Sequence, residues 1–290
     1  MARLANSLGY ELVKSEAEKG ARSKSPDADD LAMRCLTAVR KAGYLGKDAD
    51  AGYRLCEQAL DADPNNVDAL LTLSIKFYLP VILNRTADRR ADLKRADELA
   101  SRALAVDANS SRAHFAKGSV LMAEERLDDA IAEYERALAL DPNYANAVAN
   151  LGGTYFPLGQ YEKAMEFLDK AIRLSPHDPI LFIWYRDKSS LYFGLQQYDQ
   201  AIEWARRSIA INPNFAHAHG MLAAALALTG HEAEARDALE RYMALSKFKS
   251  IAAAKAALAP PSADPRVRAS LDRFYAQVIE GLRKAGMPEE

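Results

Sequence analysis

The sequence predicts an all-α fold, a linear array of helix pairs, and three observations predict it. Ala and Leu are abundant while aromatics make up only 8% of the 290 residues, a balance that favours helix. Four similar loops punctuate the chain: DPNN at 63–66, DPNY at 141–144, SPHD at 175–178 and NPNF at 212–215. Their spacing is regular. Pro142 and Pro176 are 34 residues apart, as are Ala108, which stands where such a Pro would stand, and Pro142. Pro176 to Pro213 is 37 residues and Pro64 to Ala108 is 44, a fixed period with insertions that marks a solenoid.

Composition bounds the function. Apolar content of 49% with 27% charged residues describes an ordinary globular chain. The 38 basic and 40 acidic residues leave a net charge of −2, without the basic excess expected of a nucleic-acid binder. Residues 1–20 hold no continuous apolar run and nowhere do about 18 apolar residues follow one another, so neither a signal peptide nor a membrane span is expected. Cys35 and Cys56 are too few for a disulfide scaffold or a four-thiolate zinc site. They read as buried thiols in a reducing compartment, a redox pair being the sharper alternative. The expected location is the cytoplasm.

In chain order, residues 1–25 read as an amphipathic helix over 2–20, with Leu4, Leu8, Leu12 and Tyr10, followed by a polar linker broken by Pro26. Asp27 or Asp29 can cap the next helix. Six helix pairs occupy 26–246. Their bounds are about 28–64, 67–108, 111–144, 145–178, 182–215 and 216–246. The first has an extended turn at AGYLGKDADA (42–51) and the second an insertion at PVILNRTADRR (80–90), between helices near 67–79 and 91–106. In each loop Pro ends one helix and the neighbouring Asp, Ser or Asn caps orphan backbone groups. Residues 247–290 hold a short helix near 248–258, a break at APPSADP and a final helix. Val267, Leu271, Phe274, Val278 and Leu282 make one apolar stripe on that helix, suited to covering the end of the stack.

The unit 145–178 carries Val148, Leu151, Gly152, Tyr155, Ala164, Leu168, Ala171 and Pro176, with Gly159 and Tyr161 at the turn between its helices. In these places the chain resembles the tetratricopeptide repeat (TPR) family. Val148 departs from the usual Trp and Leu168 from the usual aromatic. Gly118, Ala130, Tyr134, Ala137 and Pro142 match in the preceding unit. Ser189 and Ser208 replace small residues in the following one. The physical reading stands beside the resemblance: Gly152 and Ala164 let two helices approach closely, and one pair cannot cover its apolar face alone. The resemblance implies a right-handed superhelix of antiparallel pairs whose first helices line a concave groove.

By register, that groove is expected to hold Arg112, Phe115, Ser119 and Met122. Next come Asn146, Ala149, Asn150, Gly153 and Phe156, then Ile183, Arg186, Asp187, Ser190 and Phe193, and last His217, Met221 and Ala224. Asn side chains can hydrogen-bond an extended peptide, and Phe and Met offer adaptable apolar contact. Packing between helices competes with ligand contact at each place. The Lys, Asn and Arg set with which some TPR proteins grip a C-terminal carboxylate is not matched. Phe115, Ser119 and Ile183 take three of its places and only Asn150 fits.

Motifs for chemistry are weak. GYLGKD at 43–48 has the wrong spacing for a phosphate loop and reads as a turn. HEAEA at 231–235 lacks the second His of a zinc-protease motif, since Ala235 stands there. His217 and His219 point apart on a helix, and His219 suits core packing. No catalytic residue, cofactor or metal is expected, and the partner is a protein or peptide segment.

A narrower resemblance rests on RADLKRADELASRALAVD (90–107), KAIRLSPHDP (170–179), QYDQAIEWARRSIAINPN (197–214), AALALTGHEAEAR (224–236) and GLRKAGMPEE (281–290). These look like the C-terminal TPR region of bacterial class III adenylate/guanylate cyclase-like proteins. The resemblance implies a regulatory arm that contacts a nucleotide cyclase catalytic domain in the same or a neighbouring chain. No catalytic residue carries over.

Overall fold

A computed structural model describes residues 27–82, 86–178, 180–257, 262 and 264–290. The helix expected over 2–20 lies outside the described residues, as do parts of the 80–90 and 259–265 segments. The described residues form helices and no strand. In order these are α1 (Ala28–Lys41), α2 (Lys47–Ala62), α3 (Val67–Ile82), α4 (Arg89–Val106), α5 (Ser111–Ala123), α6 (Leu127–Leu140) and α7 (Ala145–Tyr155). Then follow α8 (Tyr161–Leu174), α9 (Leu181–Gly194), α10 (Tyr198–Ile211), α11 (Ala216–Leu228), α12 (Glu232–Leu245), α13 (Ile251–Ala257) and α14 (Pro265–Lys284). The fold class is a helix-pair solenoid of the TPR kind. None of the described helices is long and apolar enough to cross a membrane.

The regular loops work by a shared device. Asp63, Asp107, Asp141 and Asn212 each accept a hydrogen bond from the amide two residues on, at 2.9–3.1 Å. This side-chain turn ends one pair and aims the next. Asp27, Asp88 and Ser110 cap the starts of α1, α4 and α5 by accepting from Asp30, Ala91 and Ala113. Two boundaries differ from the sequence reading. The turn between the two helices of the first pair is shorter than expected, because α2 begins at Lys47 and takes DADA into its first turn. Helix α3 runs through Pro80 to Ile82.

The chain divides into two compact units at Asn150/Leu151. In the first, α1–α2, α3–α4 and α5–α6 are paired, over a core that includes Leu31, Val39, Tyr53, Leu70 and Leu99. A Cβ on Gly118 would meet the Tyr134 ring at 2.8 Å, so this crossing requires glycine. The equivalent place in α3 is Ser74, whose hydroxyl donates to the Ala96 carbonyl of α4 at 3.0 Å. One expectation is corrected here. Cys35 and Cys56 are not thiols but a disulfide joining α1 to α2.

In the second unit α9–α10 and α11–α12 are paired, and Ser189 again fills the small place and donates to the Ala201 carbonyl at 2.7 Å. The final helix α14 packs on α11, where Gly281 lies so close that an added Cβ would stand 2.6 Å from the Ala224 carbonyl oxygen. Of its expected stripe, Val267, Phe274 and Leu282 are buried, while Leu271 and Val278 are half-buried and Ser270, Ile279 and Gly281 share the buried face. The chain end is tied down as well: Ile251 and Ala252 donate to the Pro288 and Glu289 carbonyls at 2.8 and 3.0 Å.

Candidate functional site

In the first unit the expected groove residues sit on α5 and the start of α7. Arg112 and Asp68, on first helices of adjacent pairs, form an ion pair, each side chain 40% exposed. Phe115 is not an open apolar contact. Its ring packs against Tyr144 at 5.0 Å and Tyr134 at 6.0 Å. Ser119 is fully buried, which corrects its placement in an open groove. Its hydroxyl donates to the Phe115 carbonyl at 3.0 Å and accepts from Tyr134 at 3.2 Å and from the Asn150 amide at 3.3 Å. Asn150 also donates to the Tyr134 hydroxyl at 3.3 Å, and Met122 Sδ lies 3.9 Å from that hydroxyl.

These residues therefore hold α5, α6 and α7 in register before they can meet anything else. Burial pushes the Tyr134 phenol up, with the Ser119 and Asn150 hydrogen bonds opposing. The Tyr144 phenol is pushed up to about 12 by burial, against the pull of Arg112 and Arg40. Asn146 is partly exposed, but its Oδ1 is enclosed.

In the second unit, some of the expected groove residues are covered by the chain itself, while His217 is exposed and Ile183, Arg186 and Asp187 are partly exposed. Phe193 is fully buried, which corrects its expected role as an open contact. Phe274 of α14 lies edge-on between Phe156 (4.9 Å) and Phe193 (5.8 Å). Ser270, one turn earlier on α14, abuts Gly159. Helix α14 thus runs along the ends of α7 and α9 and onto α11, the first helices of three pairs. Its main packing partner is α11, the first helix of the last pair.

Beside it Arg186 Nε lies 2.9 Å from Asp187 Oδ1, too poorly directed for a hydrogen bond. The Arg186 guanidinium stands 5.6 Å from the Phe215 ring, which also neighbours His217. Desolvation raises the Asp187 carboxyl above its ordinary range and Arg186 partly opposes it. Ser190 is buried, and Gly153 faces open space, since a Cβ there would meet nothing within 4 Å.

Sequence reasoning missed Asp68, Tyr144 and Phe274 at these places. Tyr144 had a signal, as the aromatic closing the DPNY loop. Phe274 had one in its stripe, which marks a buried side without saying what covers it. Among the described residues no group of three or more His, Cys, Asp or Glu could hold a metal ion.

Residues 85–145, 121–181 and 186–215 each match a family model described as tetratricopeptide repeat. At these residues the chain is similar to tetratricopeptide repeats. It is similar to the mouse (Mus musculus) protein O-mannosyl-transferase TMTC1, 37% identical over 71 residues, which is 24% of this chain and 8% of that protein. It is also similar to the Arabidopsis thaliana CTR9 homolog, 33% identical over 70 residues, 24% of this chain and 6% of that one.

The aligned stretch thus spans less than a tenth of these curated relatives. Among solved structures, the hetero-tetramer Cut9–Hcn1 of the APC/C aligns with a TM-score of 0.68 at 13% identity, over 93% of this chain and 47% of that one. Pseudomonas aeruginosa pilF aligns with a TM-score of 0.55 at 19% identity, over 75% and 91%. At these identities the structural likenesses speak for the repeat fold alone.

Proposed function

We propose that this TPR array is a non-catalytic scaffold that binds a protein segment on the first-helix face of its first unit. TPR folds are consistent with protein–protein interaction scaffolds. One observation carries the narrower reading: on the first-helix face of the second unit lies an amphipathic helix of the chain itself, with Phe274 inserted between Phe156 and Phe193. The end of that face at Phe156 and Phe193 is already taken. The first unit keeps Asp68, Arg112, Met122 and Asn146 partly exposed on its own first helices, beside the Phe115–Tyr144 aromatic pair. Such a surface offers charge, amide and soft apolar contact to an incoming segment.

The test is selection from a random peptide library against the intact chain, followed by affinities for Arg112→Glu and Phe115→Ala. Loss of about tenfold or more, roughly 1.4 kcal/mol, supports the reading. Selected peptides that bind both variants as they bind the parent place the site elsewhere, and a library with no binder removes the reading.

A second reading follows from the resemblance at 90–107, 170–179, 197–214, 224–236 and 281–290: the array is the regulatory arm of a bacterial nucleotide cyclase, and the segment it contacts is that catalytic domain. It is favoured if a cyclase domain is encoded in the same or the adjacent reading frame, and it fails if none is.

A further inference from the structure

We propose that Cys35–Cys56 is a permanent structural crosslink, acquired in an oxidising compartment, that staples the first described helix pair of the array. The two sulfurs are bonded across 21 residues of sequence, one from the middle of α1 and one from the middle of α2. Both residues have no exposed surface and lie in the same apolar cluster as Leu31, Val39, Tyr53 and Leu70. Reactive or regulatory cysteines need exposure and an electropositive setting such as a helix N-terminus. These two have neither exposure nor a terminal position. A thiolate from solution cannot reach either sulfur while the pair is folded, so the bond does not exchange in the native state.

Its place explains its use. Helices α1 and α2 pack on each other, and the described neighbour that continues the array is α3. A crosslink between the two helices restricts the unfolded chain across the 21 residues that separate the cysteines.

Formation balances by thiol–disulfide exchange. The Cys35 and Cys56 thiols lose two electrons and two protons, and the disulfide of a thiol–disulfide exchange protein is reduced to a dithiol through a mixed disulfide. Exchange proteins poised to oxidise operate outside reducing cytosol. This location replaces the reducing one expected from the cysteine count, and it holds whether or not the first unit binds a peptide.

The experiment uses the chain in its native host, quenched in acid, denatured, and treated with a maleimide before and after reduction. No added mass before reduction and two additions after it are expected. Two additions without reduction overturn the proposal. Purified oxidised chain is also melted with and without reductant, following helicity by circular dichroism. Reduction is expected to lower the first transition by about 5–10 °C. An unchanged transition refutes the stapling role even if the bond is present.

Discussion

The ring of Phe274 meets that of Phe156 edge-on, with centroids 4.9 Å apart and planes at 87°. This contact joins the last helix to the turn after α7, more than a hundred residues earlier. Phe274 is 6% exposed and also touches Phe193 and Tyr275. Removing the ring deletes several aromatic contacts and leaves a cavity. Phe274→Ala is expected to destabilise the second unit by about 3–5 kcal/mol. Trp184 and Trp204, the two tryptophans of the chain, both lie in this unit, so their fluorescence in a urea titration follows it. A loss below about 1 kcal/mol means that α14 is not part of the cooperative unit.

The second prediction concerns the first unit, where Ser119, Tyr134 and Asn150 close a small polar network. Each deletion leaves a partner unsatisfied in a buried place. Tyr134→Phe and Asn150→Ala are each expected to cost about 1 kcal/mol, and the double variant less than the sum, because they share one bond. Urea unfolding followed by circular dichroism measures this. An Asn150→Ala variant with parental stability would show that the amide is not engaged in packing.

The residues that set helix approach were legible because their period is written in the chain. Gly118 and Gly152 recur at one register, and Ser189 continues it with a hydroxyl that finds the facing carbonyl. The site was less legible, for reasons of reach. Register puts Ser119 and Asn150 on first-helix faces, but periodicity says nothing of Tyr134, a long side chain from the other helix that reaches both. The stripe of α14 shows that one side is buried, and its landing place depends on Phe156, Phe193 and Ala224 being brought together. The Cys35–Cys56 bond needed the relative rotation of α1 and α2, which neither helix encodes alone.

Lys188 provides a third test. It is 4% exposed, pairs with Asp169 on α8 and holds Nζ 4.0 Å from the Trp204 ring. Lys117 occupies the same register in its own unit and pairs with Asp97. A buried ammonium costs desolvation that its partners must offset, so an apolar residue of similar shape can replace it. Lys188→Met is expected to stay within about 1 kcal/mol of the parent, while Lys188→Ala, which also removes packing on Trp204, loses about 2 kcal/mol. Tryptophan-detected urea curves measure both. Equal losses would mean that charge, not the buried stem, supplies the stability.

Asp187 makes stability depend on pH in a definite direction. Desolvation raises its carboxyl in the folded state and Arg186 only partly opposes this, although 32% of the side chain still reaches solvent. A carboxyl with a raised folded pKa contributes stability that is complete below its unfolded value, about 3.9, and is lost as pH rises through the folded value. At neutral pH the ionised group is thus a liability to the second unit. Asp187→Asn cannot ionise and keeps the shape. Its melting temperature, read by tryptophan fluorescence, is expected to equal or exceed the parent's at pH 7, with the advantage shrinking as pH falls below the ordinary aspartate range. The opposite trend, with the variant weaker at pH 7 and recovering in acid, would show that the ion pair with Arg186 outweighs desolvation.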